Sequence, residues 1–115
     1  MTITLYGIPN CDTVKKARTW LDVHGHAYTF HDYKKLGADA EKLMTWCDAQ
    51  GWETVLNRAG TTFKKLPDAD KIDLNQAKAI ALMLAQPSMI KRPVVETGGQ
   101  ILIGFKPDLY EKAFA

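Results

Sequence analysis

Apolar and polar positions recur in this chain with two periods, and each switch of period marks a new element. The first run, Ile3-Thr4-Leu5-Tyr6-Gly7, is short and mostly apolar and reads as a buried strand. Helical spacing starts at Asp12 and lasts to about Val23, with Val14, Ala17 and Leu21 as the inward stripe. His24-Gly25 ends that helix, because Gly takes the left-handed cap without strain. Ala27 to Tyr33 alternates and carries aromatic residues, the pattern of a second strand. Strand, helix and strand joined by short turns predict a βαβ unit with parallel strands.

The middle of the chain reads as helical. Ala38 to Gln50 predicts a helix with Leu43, Trp46 and Cys47 on its apolar side. Trp52 to Leu66 is less regular and predicts a short helix and a loop. Asp73 to Gln86 carries Leu74, Ala77, Ile80, Ala81 and Leu84 at helical spacing and stops at Pro87. Strand character returns at Val94-Val95-Glu96, entered through Pro93. Thr97-Gly98-Gly99-Gln100 is a hairpin turn in which Gly99 suits a positive φ, and Ile101 to Phe105 is the returning strand. Lys106-Pro107-Asp108 opens a closing helix from Leu109 to Phe114. The predicted order is βαβ, a helical insert over about 38–88, then ββα. All 115 residues fit one domain, without a linker, repeat or low-complexity tract.

Charge narrows the function classes. Lys plus Arg number 15 and Asp plus Glu 13, a net charge of +2, which is not the footprint of a nucleic-acid or membrane-surface binder. No stretch approaches the ~18 consecutive apolar residues of a membrane span. The N-terminal residues lack a basic region, so no signal peptide is expected. Two cysteines fit a reducing cytoplasm better than a secreted disulfide scaffold. Nothing in the composition demands an oligomer, and a monomer is expected.

Cys11 is the residue whose position points to chemistry. It follows the tight stretch Ile8-Pro9-Asn10 and directly precedes a helix. A thiol there points its sulfur toward unpaired backbone N–H groups and the positive end of the helix dipole, which favour thiolate over thiol. Position 14 is Val, so there is no C-x-x-C and no dithiol mechanism. The sixth position after Cys11 would need arginine for a low-molecular-weight phosphatase loop; it is Ala17, and Arg18 comes one residue late. A monothiol mechanism remains, in which an external thiol such as glutathione resolves the adduct. Cys47 lies inside a predicted helix and reads as a core thiol. His24, His26 and His31 do not combine with other ligands into a metal set, so no metal is expected.

The βαβ–ββα order, the helix-terminal Cys11 and the proline entering the third strand resemble the thioredoxin fold. The helical insert and Ile90-Lys91-Arg92-Pro93-Val94-Val95 look like the arsenate reductase (ArsC-like) family, which also contains the Spx transcription regulators. Tyr6-Gly7-Ile8-Pro9-Asn10-Cys11-Asp12-Thr13 and Asn57-Arg58-Ala59-Gly60-Thr61 are most similar to its branch of small YffB-like proteins. The resemblance implies a thioredoxin-like α/β domain with a mixed four-stranded sheet. It implies a cytoplasmic thiol oxidoreductase, a glutathione-dependent thiol or arsenate-like reductase, that holds no cofactor and uses glutathione as co-substrate. Its partners would be glutathione and a small oxyanion or mixed disulfide. By that resemblance Cys11 is the nucleophile and Arg92 binds the oxyanion beside it. Pro93 is the cis-proline next to the thiol, and Asn10 lies on the substrate side. A further basic position falls on Arg58, with Asn57 the other register, and another falls on Lys106. The family's arginine pattern is broken at Lys106, whose point charge lacks the planar fork of arginine. That departure weakens arsenate as the substrate. The second class is a regulator of the Spx kind, binding RNA polymerase without turnover; those proteins typically carry the C-x-x-C that Val14 removes.

Overall fold

The computed structural model describes residues 2–115. Chain order runs β1 (Ile3–Gly7), α1 (Asp12–Val23), β2 (Thr29–Asp32), α2 (Tyr33–Leu36), α3 (Ala40–Gln50), α4 (Trp52–Val55), α5 (Thr61–Lys64), α6 (Asp68–Lys71) and α7 (Gln76–Ala85). A 3₁₀ turn at Pro87–Met89, β3 (Val94–Thr97), β4 (Gln100–Ile103) and α8 (Pro107–Ala113) complete it. The fold is α/β with one mixed four-stranded sheet of order β2-β1-β3-β4. Two compact units divide the chain: residues 1–36 with 92–115, and residues 37–91.

The sheet unit is built around β1. It pairs parallel with β2 and antiparallel with β3, and β3 pairs antiparallel with β4. Side chains alternate across the sheet, so Ile3 and Leu5 of β1, Val95 of β3 and Leu102 of β4 share one face. They join Val14, Ala17 and Leu21 of α1 and Tyr110 of α8 in one buried cluster. The predicted inward stripe of α1 is therefore the one observed, with all three residues fully buried. Tyr110 is fully buried too, and its hydroxyl donates to the Gly104 carbonyl at 3.1 Å. Gly98 and Gly99 make the β3–β4 turn, both at positive φ (51° and 80°), as a two-residue hairpin of this hand requires.

The helical unit, residues 37–91, is held by Leu43, Trp46 and Cys47 of α3, Val55 and Leu56, Phe63, Ala79 and Met83 of α7, and Met89 and Ile90. Side-chain caps set where its two long helices start. Asp39 accepts from the Lys42 N–H at 3.0 Å, so α3 begins at Ala40 and not at Ala38. Asn75 accepts from the Lys78 N–H at 2.9 Å, so α7 begins at Gln76, three residues after the predicted start. The buried face of α7 is Ala79 and Met83. The stripe expected from spacing, Leu74, Ala77, Ile80, Ala81 and Leu84, is not buried, and Leu84 is exposed. This helix is apolar nearly all round, so periodicity alone left its inward face undetermined.

Other boundaries moved for local reasons. β2 stops at Asp32 because its carboxylate accepts from the Lys34 N–H at 2.9 Å and turns the chain into α2, so Tyr33 starts a helical turn and does not end the strand. β4 ends at Ile103, where Gly104 takes φ 81°. α8 starts at Pro107, with Lys106 as the residue before it.

Gly7 fixes how closely α1 approaches the sheet. A Cβ there would lie 2.8 Å from Cγ2 of Val14, so the strand-to-helix contact needs glycine. Gly7→Ala is expected to destabilise the protein by about 1–3 kcal/mol through overpacking. Val14→Ala in the same chain should recover part of that loss. Chemical denaturation of the two single variants and the double variant checks it; additive losses would contradict the contact.

Candidate functional site

The pairing registers deliver four segments to one edge of the sheet. Parallel β1 and β2 finish there together, Gly7 opposite Asp32. Antiparallel β3 starts there, Val94 opposite Tyr6, and β4 finishes there, Ile103 opposite Val94. Ile8 to Cys11, Tyr33, Arg92-Pro93 and Gly104 to Lys106 therefore all leave from this edge. The Gly104 N–H donates to the Pro93 carbonyl at 2.8 Å, tying two of these segments together. The Arg92–Pro93 peptide bond is cis. The outer side of parallel strand ends is where open α/β sheets commonly take ligands.

Cys11 is the residue before the first turn of the twelve-residue α1, in extended conformation (φ −120°, ψ 123°). Its carbonyl accepts the first intrahelical bond, from the Lys15 N–H at 2.9 Å. The thiol is half-buried and packs against the apolar cluster of the sheet unit. Its side chain makes no capping hydrogen bond to the helix. Asn10 beside it is exposed, Arg92 is half-buried and Pro93 is buried. Lys106 is exposed and directly precedes α8.

A polar group on the second face of the sheet is not apparent from spacing. Tyr6 donates to Glu96 Oε1 at 2.6 Å. The Tyr6 ring lies 4.9 Å from His31 and 6.3 Å from Tyr33, and the Tyr33 ring meets His31 edge-on at 5.6 Å. Tyr33 is 4% exposed, and its hydroxyl has no hydrogen-bond partner among the described residues. Burial pushes its pKa above the ordinary phenol value, with the charges of Tyr6 and Glu96 adding to the effect and Arg92 opposing it. The signal in the sequence was the alternation that puts Tyr6 and His31 on one face, opposite each other in adjacent strands.

Arg58 belongs to the helical unit. Its guanidinium lies over the Trp52 ring, 5.6 Å from the centroid, and Nη2 is 3.9 Å from Glu53 Oε2, with both charged side chains well exposed. Asn57 instead commits its backbone, donating to the Met89 carbonyl at 2.8 Å. Cys47 is buried in α3, and burial first and Asp48 second push the pKa of its thiol up. Its placement in the core agrees with the sequence reading. The histidines act as packed rings: His24 stacks on Trp20 at 3.9 Å and His26 lies 4.7 Å from Phe114.

The family model described as "ArsC family" matches residues 6–113. This chain belongs to the ArsC family. The solved structure of the YffB protein is 68% identical over 99% of this chain and all of that one, with a TM-score of 0.97. An arsenate reductase related protein from Brucella melitensis is 58% identical, covers 99% of this chain and 95% of that one, and has a TM-score of 0.77. The global transcriptional regulator Spx of Streptococcus mutans is 28% identical over 108 residues, 92% of this chain and 78% of that protein. The ArsC family thus joins relatives named as reductase-related with relatives named as regulators.

Two outcomes follow for this ArsC-family chain. Iodoacetamide should label Cys11 and leave Cys47 unmodified in the native protein, because Cys47 is 2% exposed and held protonated by burial. Peptide mass spectrometry reads this, and equal labelling would contradict it. Tyr33→Phe should leave stability at neutral pH unchanged or raise it by about 1 kcal/mol, since it removes a buried hydroxyl without a partner. The folded phenol stays neutral while the unfolded one ionises near pH 10. Ionisation of the unfolded phenol therefore lowers stability as pH rises above about 10, and the Phe variant loses less stability across that range. Thermal unfolding between pH 7 and 11 checks both; a clear loss at neutral pH would show that the hydroxyl holds the fold.

Proposed function

We propose that this chain is a glutathione-dependent reductase that uses the Cys11 thiolate as a single nucleophilic sulfur. Mixed disulfides are the favoured substrates. Cys11 attacks the glutathione sulfur of a mixed disulfide, that S–S bond breaks, and the released thiolate takes a proton from solvent. A Cys11–glutathione disulfide is left. A second glutathione thiolate attacks its glutathione sulfur, Cys11 departs as thiolate, and glutathione disulfide leaves. The free glutathione thiol is the reductant, since the glutathione sulfur of the mixed disulfide starts and ends at the disulfide level.

The observation that carries this reading is Cys11 itself, half-buried at the start of α1, on the same sheet edge as Arg92, Pro93 and Lys106. The amides of the first turn and the charge of Arg92 favour an anion at this edge. Asn10 and Pro93 flank the entering substrate. Lys106 offers a point charge where the family pattern has arginine, which suits a thiolate or a carboxylate better than bidentate grip on arsenate. In the oxyanion version of the reaction, Cys11 displaces a hydroxyl of the oxyanion as water. Glutathione then attacks the Cys11 sulfur, and the electron pair of the broken bond reduces the central atom. Arg58 is the basic residue that the family likeness assigns to the anionic substrate. The setting proposed for this chemistry is a monomer in a reducing cytoplasm, where glutathione is abundant.

Similarity to Spx of Streptococcus mutans supports a second reading, a binding protein that contacts RNA polymerase and has no turnover. Val14 stands where a second cysteine would complete a redox switch, which favours the reductase.

Cys11→Ser should abolish glutathione-dependent reduction of a small mixed disulfide, a loss of at least about 10³-fold given removal of the nucleophile. A coupled assay of glutathione disulfide release reads it. Full turnover in the serine variant would end the reductase reading. Stoichiometric recovery of polymerase subunits by both variants would move the protein to the regulator class.

A further inference from the structure

The flank of α1 beside β2 carries a cation that has no carboxylate to answer it. Arg18 is half-buried there, its guanidinium carbon 4.2 Å from the centre of the Phe30 ring and 5.8 Å from that of Tyr28. Its Nε donates to the Tyr28 hydroxyl at 2.9 Å. Among the described residues no acidic side chain pairs with it, not even Asp22 one turn further on. The rings and the tyrosine hydroxyl hold the guanidinium from one side and leave both Nη groups without an acceptor. A planar fork held in this way is preorganised for an end-on, bidentate carboxylate.

Helix geometry relates this arginine to the thiol of the same unit. Cys11 directly precedes α1, and Lys15 and Arg18 follow it at i+4 and i+7, positions that share one flank. Two turns separate Cys11 from Arg18, about 10 Å along the axis. Cys11, Tyr28 and Phe30 all pack against the same apolar cluster, so the thiol and the seat of the guanidinium belong to one packed surface. β2 is the outer strand of the sheet, so no further strand covers this flank. Lys15 is exposed and adds a second positive charge, and Asp22, also exposed, ends the run with a negative one. Two cations closed off by an acid are too few for a nucleic-acid backbone.

We propose that this flank seats an acidic segment of the substrate, with Arg18 pairing to an Asp or Glu near the disulfide-bearing cysteine of a glutathionylated protein. The inference rests on the reductase reading above and names the substrate class: mixed disulfides of glutathione with proteins whose cysteine has acidic surroundings. An extended chain covers about 3.3 Å per residue, so a carboxylate about three residues from the cysteine matches the two-turn separation. The carboxylates of glutathione itself stand only about one residue from its sulfur, so Arg18 reads the protein half of the substrate. Lysine at the same place meets Lys15 and Arg18 as a like charge, which makes the flank selective as well as attractive.

Three substrates test the proposal. Two are glutathionylated single-cysteine peptides, identical except for Glu or Lys three residues away on both sides of the cysteine; the third is the small mixed disulfide of glutathione and 2-mercaptoethanol. The wild type is expected to prefer the Glu peptide in kcat/KM by about fivefold, the scale of one charge pair. Arg18→Gln should remove most of that preference, and Arg18→Glu should invert it. The comparison of two peptides within each variant cancels any loss of folded protein, and a purely packing role for Arg18 would not invert a preference. Equal kcat/KM for the two peptides in the wild type, or an unchanged preference in both variants, overturns the docking flank and leaves the reductase reading standing. Turnover of the small mixed disulfide with neither peptide reduced overturns it as well. Failure of the wild type to turn over the small mixed disulfide ends both readings.

Discussion

The two registers of β1 are the constraint from which the rest of the sheet unit follows. Gly7 opposite Asp32 and Tyr6 opposite Val94 bring every chemically loaded segment of this unit to one edge. Side chains alternate with a period of two, so a slip of one residue would turn Ile3 and Leu5 out of the core and Tyr6 into it. The apolar cluster under α1 forbids that slip. Gly7 then lets α1 approach closely enough that Cys11, one residue before the helix, is held against the same core. Packing and chemistry are coupled at this point: the residues that fix the strand register also place the thiol.

The helical unit follows a different logic. Its helices α3 and α7 are positioned by capping side chains and by buried residues from short segments, and the Leu56–Ile90 bridge gives a mostly helical region one point of strand-like register. That bridge determines which polar residues share a cleft. Arg58 and Lys91 meet there because backbone hydrogen bonds on both sides of the bridge leave the flanking chain little freedom.

Elements with a one-sided pattern were legible from sequence. In α1, Val14, Ala17 and Leu21 recur on one face at helical spacing, and the helix has the predicted bounds and buried face. The β3–β4 hairpin announced itself through Gly98-Gly99. Where apolar residues run all round, as in α7, periodicity carried no direction, and Ala79 and Met83 were missed as its inward face. Element starts slipped where a side chain, Asp32, Asp39 or Asn75, took a backbone N–H, since such caps depend on one residue and leave no periodic trace. For the site, local sequence and family likeness singled out Cys11, Arg92, Pro93, Arg58 and Lys106. The Tyr6, His31, Tyr33 and Glu96 group was missed because it exists only once three strands are side by side.

In the proposed mechanism, turnover passes through a disulfide between Cys11 and glutathione. Acid quenching during turnover, followed by alkylation of free thiols and peptide mass spectrometry, observes that species directly. The account predicts a glutathione adduct on the Cys11 peptide that forms and decays at the rate of turnover, with Cys47 recovered as free thiol. Turnover without an adduct on Cys11, or with the adduct on Cys47, would contradict it.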